Sequence, residues 1–562
     1  MTTTAANNGA AAIFEVLRGW GVRYVFTCPG TTEAAFLDAS FAYPDISVMT
    51  TTHESIAVAM ADGYARVTRK PTVAYLHTNV GLANGLAHLS AARIAHSPVV
   101  ILNGLKSARI QNRGGFTTAT AMRDFVRQYV KWDWLTLRAD AIGEDANRAL
   151  KVATAEPQGP IYLGIAQDLL VAETQIPIPS ATRYQVPART RPDPDQVASA
   201  VQLLARAAHP LIIAGNEITQ ANACSELVAL AESLKAPVLL EDRTTLESCT
   251  FSPRHPQYTG LYTSTLKAVN EADVIILAGA RTFIEFDWKD TPALPPATPL
   301  IHLFSSADEI AKIYPTDVPL VGNAKLGLAD LLSALSQQPS NNDPQRQDYL
   351  SSARAAYLEA MRQAEEEAVQ HKDTVPVRVS ALMQTLARSL TPHTVVVADP
   401  VTSASAIMTH LMPHIEQDFY TTASGSLGWG MGAALGVKLA MPDKEVIALV
   451  GDGVFQFGIQ ALWTAAHYKI SVIFIVINNQ SYAAVKAALH RYNKVAVARQ
   501  DFPASDISGP RIADIGHGFG ASSLRIERLA DLTSALQSVR ERGGPAVIEV
   551  MTDTHDVGPL HR

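Results

Sequence analysis

Two apolar runs of strand length, Glu445-Val-Ile-Ala-Leu-Val450 and Val472-Ile-Phe-Ile-Val-Ile477, each end in a polar cluster: Gly451-Asp452-Gly453 after the first and Asn478-Asn479 after the second. An Ala-rich stretch with Trp463, Ala466 and Tyr468 separates them. Parallel neighbouring strands need a crossover of a dozen or more residues, usually a helix, so the segment is predicted as a βαβ unit of buried strands. Both clusters then fall at the carboxyl ends of adjacent strands, where open α/β sheets bind ligands. Mg²⁺ takes hard oxygen ligands and keeps positions for phosphate oxygens. Asp452 offers a charge, Asn479 a neutral carbonyl oxygen, and the glycines let the backbone approach an anion. A lone Gly-Asp-Gly is more often an ordinary turn. Twenty-four residues between Gly453 and Asn478, with a strand on each side, make a cage for a metal-bound diphosphate the better reading.

On these residues the chain resembles the thiamin diphosphate-dependent enzymes of the pyruvate decarboxylase and acetolactate synthase superfamily, whose diphosphate motif is Gly-Asp-Gly, a spacer of this length and Asn-Asn. The resemblance implies thiamin diphosphate and Mg²⁺ as cofactors. It implies Asp452, Asn479 and Ser481 as metal ligands, the last through its carbonyl, with Gly451, Gly453 and Tyr482 around the cofactor.

Thr52-His53-Glu54-Ser55-Ile-Ala57-Val-Ala-Met60 places small residues at helical spacing behind an acidic residue. Alone, Glu54 reads as a helix-start carboxylate on the macrodipole. The phrase matches the family's pyrimidine-domain glutamate motif, which implies that Glu54 hydrogen-bonds the pyrimidine ring and activates the thiazolium carbon. Ala423-Ser424-Gly425-Ser426-Leu427-Gly428 reads alone as a flexible loop. By resemblance, Leu427 is the wedge under the two rings and Gly425 offers its carbonyl to the amino group. Asp399-Pro400-Val401-Thr402-Ser403 follows the strand-like Thr394-Val-Val-Val397, so Thr402 is a candidate phosphate contact, although such residues usually cap helices.

At 562 residues the chain exceeds what one core supports. Three Rossmann-like, doubly wound α/β domains are expected: pyrimidine-binding at 1–185, central at 190–336 and diphosphate-binding at 376–562. Strands are expected near Val22 to Phe26, Thr72 to Leu76, Pro98 to Leu102 and Ile161 to Leu163 in the first. The second has candidates near Pro210 to Ala214, Pro237 to Leu240, Val274 to Ala278 and Pro299 to Leu303. The Pro-rich stretch from Ile176 to Pro192 reads as a linker, and an acidic helical segment surrounds Glu365-Glu-Glu367. Charged residues are 18% of the chain and the net charge is -7, so neither nucleic acid nor an anionic membrane is an expected partner. Cys28, Cys224 and Cys249 show no paired spacing, and no run of about 18 apolar residues appears, so a cytoplasmic protein is expected. The family's domain arrangement implies at least a homodimer, commonly a homotetramer.

Within the superfamily, Phe26-Thr-Cys-Pro29-Gly30-Thr31-Thr-Glu33, Leu76-His77, His96-Ser97-Pro98, Val130-Lys131-Trp132 and Ala461-Leu-Trp-Thr-Ala-Ala466 resemble the benzoylformate decarboxylase family. That family has a serine at the position of Thr31, binding the substrate carboxylate, and a histidine at His77, moving protons; Thr31 keeps the hydroxyl. A second active-site histidine of the family aligns with Phe286. After Tyr482, Ala483-Ala484-Val485-Lys486-Ala487-Ala488 replaces expected aromatic residues, leaving a wider pocket or one filled by Phe116 and others. The expectation is decarboxylation of an aromatic or bulky 2-oxo acid to an aldehyde by Glu54, His77 and Thr31. Alternatives are a carboligase like acetolactate synthase, a carbon-carbon lyase like benzaldehyde lyase, a 2-hydroxyacyl-CoA lyase, or a non-catalytic paralogue, which intact Glu54, Asp452 and Asn479 disfavour.

Overall fold

A computed structural model describes residues 4–242, 244–283, 288–338, 343–416, 418–422 and 424–554. The chain begins with β1 (Thr4–Ala6). The first sheet contains β2 (Tyr24–Cys28), β3 (Ser47–Thr50), β4 (Thr72–His77), β5 (Val99–Leu105), β6 (Trp132–Leu135) and β7 (Ile161–Ala166), in the parallel order β3-β2-β4-β5-β7-β6. β8 (Ile176–Ile178) returns to pair antiparallel with β1. The expected linker therefore starts with a strand, a correction with a simple cause. Pro177 lacks an N–H, yet a two-stranded ribbon has an outer edge where that group has no partner to serve.

The central sheet holds β9 (Pro210–Ala214), β10 (Val238–Leu240), β11 (Tyr258–Leu261), β12 (Val274–Ala278), β13 (Leu300–Phe304) and β14 (Val318–Val321), ordered β11-β10-β9-β12-β13-β14. The 27-residue helix Pro344–Gln370 follows, carrying Glu365 to Glu367. The last sheet contains β15 (Thr394–Asp399), β16 (Phe419–Thr421), β17 (Glu445–Gly451), β18 (Val472–Asn478), β19 (Ser522–Ile526) and β20 (Ala546–Met551), ordered β16-β15-β17-β18-β20-β19. All three are doubly wound parallel α/β sheets. β15 and β18 are buried along their whole length, which is why their sequences read as unbroken apolar runs. Each such Val or Ile contributes roughly 1.5–3 kcal/mol by burial. The β17–β18 crossover is two helices, Asp452–Gly458 and Gln460–His467, rather than one.

First and last domains meet where the helix Glu54–Thr68 crosses Trp429–Ala440. A Cβ on Gly63 would lie 2.3 Å from the Ala433 carbonyl oxygen, and one on Gly436 2.1 Å from that of Met60, so glycine permits backbone-to-backbone contact here. Beside the crossing, buried Asp62 accepts the Trp429 indole N–H at 2.7 Å and pairs with Arg66, which donates to the Thr421 carbonyl at 2.8 Å.

The central sheet reverses its winding between β9 and β12, the crevice where a dinucleotide would bind. The chain packs closely at this point. A Cβ on Gly215 would lie 2.2 Å from Ala280 Cα, and Glu241 crowds the same space. Glu217 accepts the Ser305 backbone N–H at 2.9 Å. Burial pushes Glu217 up to about 8 and Glu241 to about 7. A carboxyl whose folded pKa exceeds its unfolded value of roughly 4.3 binds its proton more tightly when folded, so stability falls as pH rises between those values. Glu217→Gln is therefore expected to raise the melting temperature little at pH 5 and increasingly toward pH 8. Calorimetric scans at several pH values check this; a pH-independent difference would contradict the buried neutral acid.

Candidate active site

In the first and last sheets the winding reverses between β2 and β4 and between β15 and β17, so their ligand crevices lie at those strand ends. After β2 the chain forms a tight turn, Thr31–Glu33, in which Glu33 accepts the Gly30 N–H at 2.7 Å. Glu33 is fully buried. Its other oxygen accepts the Thr32 hydroxyl, and Oε2 faces His77 Nδ1 at 2.9 Å. Thr32 Oγ1 also lies 2.9 Å from that nitrogen. A Cβ on Gly30 would strike the His77 ring at 2.5 Å, so glycine makes room for the imidazole. If Nδ1 donates to Glu33, the lone pair resides on Nε2. Thr31 is exposed and accepts a hydrogen bond from Lys106 Nζ at 3.1 Å, immediately after β5.

Glu54 opens its helix behind His53, whose Nδ1 accepts the Ser55 N–H at 3.2 Å. Its carboxylate accepts Asn84 Nδ2 at 3.0 Å and rests on Gly81, where a Cβ would lie 2.9 Å from Oε1. Gly81 and Asn84 share one face of the helix Thr78–Ile94. On the next turn His88, whose pKa burial lowers against the two carbonyls it faces, lies 2.8 Å from the Ser55 carbonyl and 3.3 Å from that of Leu427. Ser426 donates to the Ala87 carbonyl. The helix that holds Glu54 thus also touches the Gly-Ser loop of the last domain.

At the last sheet, Asp452 follows β17. Its Oδ1 accepts the Gly453 N–H at 2.8 Å, whereas Oδ2 is buried with no hydrogen-bond partner among the described residues. Burial pushes this carboxyl up to about 6, against the backbone N–H groups of Gly453, Gln480 and Ser481. The Gln480 and Ser481 amides belong to the loop after β18, so both clusters meet as the βαβ reading expected. Asn479 is buried and accepts the Ser481 N–H at 3.0 Å; the Ser481 carbonyl accepts Ala483 N–H at 2.8 Å and retains a second lone pair. Asn478 binds Glu549 instead, at 2.7 Å. The Tyr482 ring covers Gly453, while Gly451 and Gly425 face open space. Leu427 is half-buried against the core, and Thr402 lies partly exposed in the turn after β15. Asp399, pushed up to about 7 by burial, accepts the Gly430 N–H at 3.0 Å and caps the helix behind Leu427.

The structure gathers Thr31, Glu54 and His77 at one sheet, and Thr402, Gly425, Leu427, Gly451 to Gly453, Asn479, Ser481 and Tyr482 at the other. Sequence reasoning quoted Glu33 without giving it a role and overlooked Asn84, His88, Lys106 and Asp399 as site partners. The buried acid three residues after Gly30 was the one available signal. Phe116 is 85% exposed, and Phe286 lies outside the described residues. Among those described, no cluster of three His, Cys, Asp or Glu side chains forms a metal centre; a site with one carboxylate and neutral oxygens needs phosphate to complete it. The orphaned Asp452 oxygen fits that requirement.

Two sheets of one winding pattern, one presenting a held carboxylate and the other a carboxylate-amide cradle, define a cofactor-dependent α/β enzyme. Three family models match in order: the N-terminal TPP binding domain of thiamine pyrophosphate enzymes at residues 7–124, their central domain at 197–331 and their C-terminal TPP binding domain at 401–550. The chain belongs to the thiamine pyrophosphate enzymes. It is 27% identical to a benzoylformate decarboxylase of Pseudomonas aeruginosa over 97% of this chain and 98% of that protein. It is 26% identical to a probable acetolactate synthase large subunit of Methanococcus aeolicus, over 97% and 92%. The crystal structure of benzoylformate decarboxylase from Polynucleobacter necessarius superposes with a TM-score of 0.84 at 28% identity, covering 98% of this chain and 99% of that one. No helix among the described residues is long and apolar enough to cross a membrane.

Proposed function

We propose that this thiamin diphosphate-dependent enzyme is a lyase that decarboxylates a bulky, benzoylformate-like 2-oxo acid to an aldehyde without oxidation. The observation that carries the reading is the His77–Glu33 pair at the strand ends beside Glu54. Such a pair would supply a positioned proton carrier of the kind a decarboxylated product needs. When bound, thiamin diphosphate supplies a nucleophilic carbon and an electron sink. Asp452, Asn479 and the Ser481 carbonyl would hold Mg²⁺ against the diphosphate, with Gly451, Gly453 and Tyr482 around it and Thr402 donating to a phosphate oxygen. Leu427 would wedge the two rings and the Gly425 carbonyl would accept from the amino group. Glu54 would share a proton with the pyrimidine ring. Thr31 would orient the substrate carboxylate, and His77 would move the proton at the carbon that becomes the aldehyde. We take the working unit to be at least a homodimer.

His77→Ala tests this assignment. First-turnover carbon dioxide release is expected to persist while aldehyde release slows by roughly 10²–10⁴-fold, the usual contribution of a general acid or base. Rapid-quench analysis of both products reads the difference, and equal rates in variant and wild type would reduce His77 to a packing residue.

A further inference from the structure

Two carboxylates, Glu33 and Glu54, border the strand-end crevice of the first sheet. With burial as the larger cause, both help to push the Cys28 thiol up to about 11. A 2-oxo acid brings more negative charge to this place, and the cation at hand is Lys106. Its Nζ lies 3.1 Å from Thr31 Oγ1, and its carbonyl is tied by Gln111 Nε2 at 2.9 Å. Among the described residues Lys106 has no carboxylate partner, and two of its three N–H donors remain after the bond to Thr31.

Which anion those donors serve follows from the reaction. A cation gripping the carboxylate that departs stabilises the ground state more than a transition state in which that charge has moved away, and so slows the step. A cation on an anion that survives the reaction carries no such penalty. The Thr31 hydroxyl, accepting from Lys106, keeps its own hydrogen for the reacting carboxylate and sets the ammonium back behind a neutral group.

We infer that Lys106, spaced by Thr31, selects 2-oxo acids whose acyl part carries a second anionic group such as a carboxylate or sulfonate. In the reaction the bond between the keto carbon and the departing carboxylate breaks. Carbon dioxide leaves, the keto carbon takes up a proton, and the second anion departs unchanged with the aldehyde. Both the reaction and the choice of a second anion over the departing one rest on the decarboxylase reading above; that Lys106 serves an anion rests on its bond to Thr31 and its lack of a carboxylate partner among the described residues.

The test uses holoenzyme and matched pairs: 2-oxopentanoate with 2-oxoglutarate, and benzoylformate with 4-carboxybenzoylformate. Wild type is expected to prefer the diacid in each pair. In Lys106→Met the diacid-to-monoacid ratio of kcat/KM is expected to fall by about 10–100-fold, the range of a hydrogen bond to a charged group, chiefly through KM. Lys106→Arg is expected to restore most of it. No preference in wild type, or a Met variant that lowers both members alike, would overturn the inference. Calorimetric binding of pentanoate and glutarate reads the same contact without chemistry. Lys106-dependent glutarate binding with no carbon dioxide release from any substrate would remove the decarboxylase reading and keep Lys106 as a residue that serves an anion, whereas equal glutarate binding by wild type and Lys106→Met would overturn the inference.

Discussion

Glu54→Gln is expected to leave thiamin diphosphate bound while suppressing deuterium exchange at the thiazolium carbon by roughly 10²–10⁴-fold or more. Glutamine has the shape of glutamate and retains an oxygen for the Asn84 donor, which meets the carboxylate at 3.0 Å. The crevice should therefore keep its form. An amide cannot hold and return a proton to a ring nitrogen as a carboxylate does, so activation should fail while binding survives. Cofactor fluorescence reads retention, and quenched-flow proton NMR reads exchange. Wild-type exchange in the variant would remove Glu54 from this role. A variant that no longer binds cofactor would instead make it chiefly a structural acid for Gly81 and Asn84.

Asp452→Ala is expected to abolish Mg²⁺-dependent retention of the cofactor. Asp452 Oδ2 is buried with no hydrogen-bond partner among the described residues, an arrangement that is costly unless something positive meets it. The remaining oxygens around it, from Asn479 and Ser481, are neutral. Deleting the one anionic ligand should weaken binding by more than the roughly 10–100-fold that loss of an outer-shell metal partner causes. Desalting in Mg²⁺ followed by measurement of bound thiamin diphosphate checks the variant, and a chelator should reproduce its behaviour in the wild type. Unchanged cofactor affinity would sink the metal assignment.

What could be read from the chain was set by burial. β9 and β12 lie where the apolar runs placed them, and β15, β17 and β18 begin where expected, because strands covered on both faces leave a continuous apolar record. β3, β6 and β19 show mixed exposure, giving neither an apolar run nor a clean alternation, and they escaped notice; β20, buried except at its last residue, was also passed over, its apolar run being broken by Glu549. The bent crossover at Ile459 was likewise invisible, since Ala-rich sequence suits one helix as well as two.

The sequence by itself determined the two polar clusters around Asp452 and Asn479, since each directly follows a buried strand and strand ends are where a parallel sheet presents its ligands. It also determined Glu54 as a helix-start acid. Only the tertiary structure decided what holds these groups. His77 meets Glu33 across 44 residues, Glu54 meets Asn84 across 30, and Lys106 meets Thr31 across 75. Those distances in sequence are bridged by the order β3-β2-β4-β5, which sets β2, β4 and β5 side by side. No local period records that order, because it is fixed by how whole layers pack and not by the propensity of any one segment.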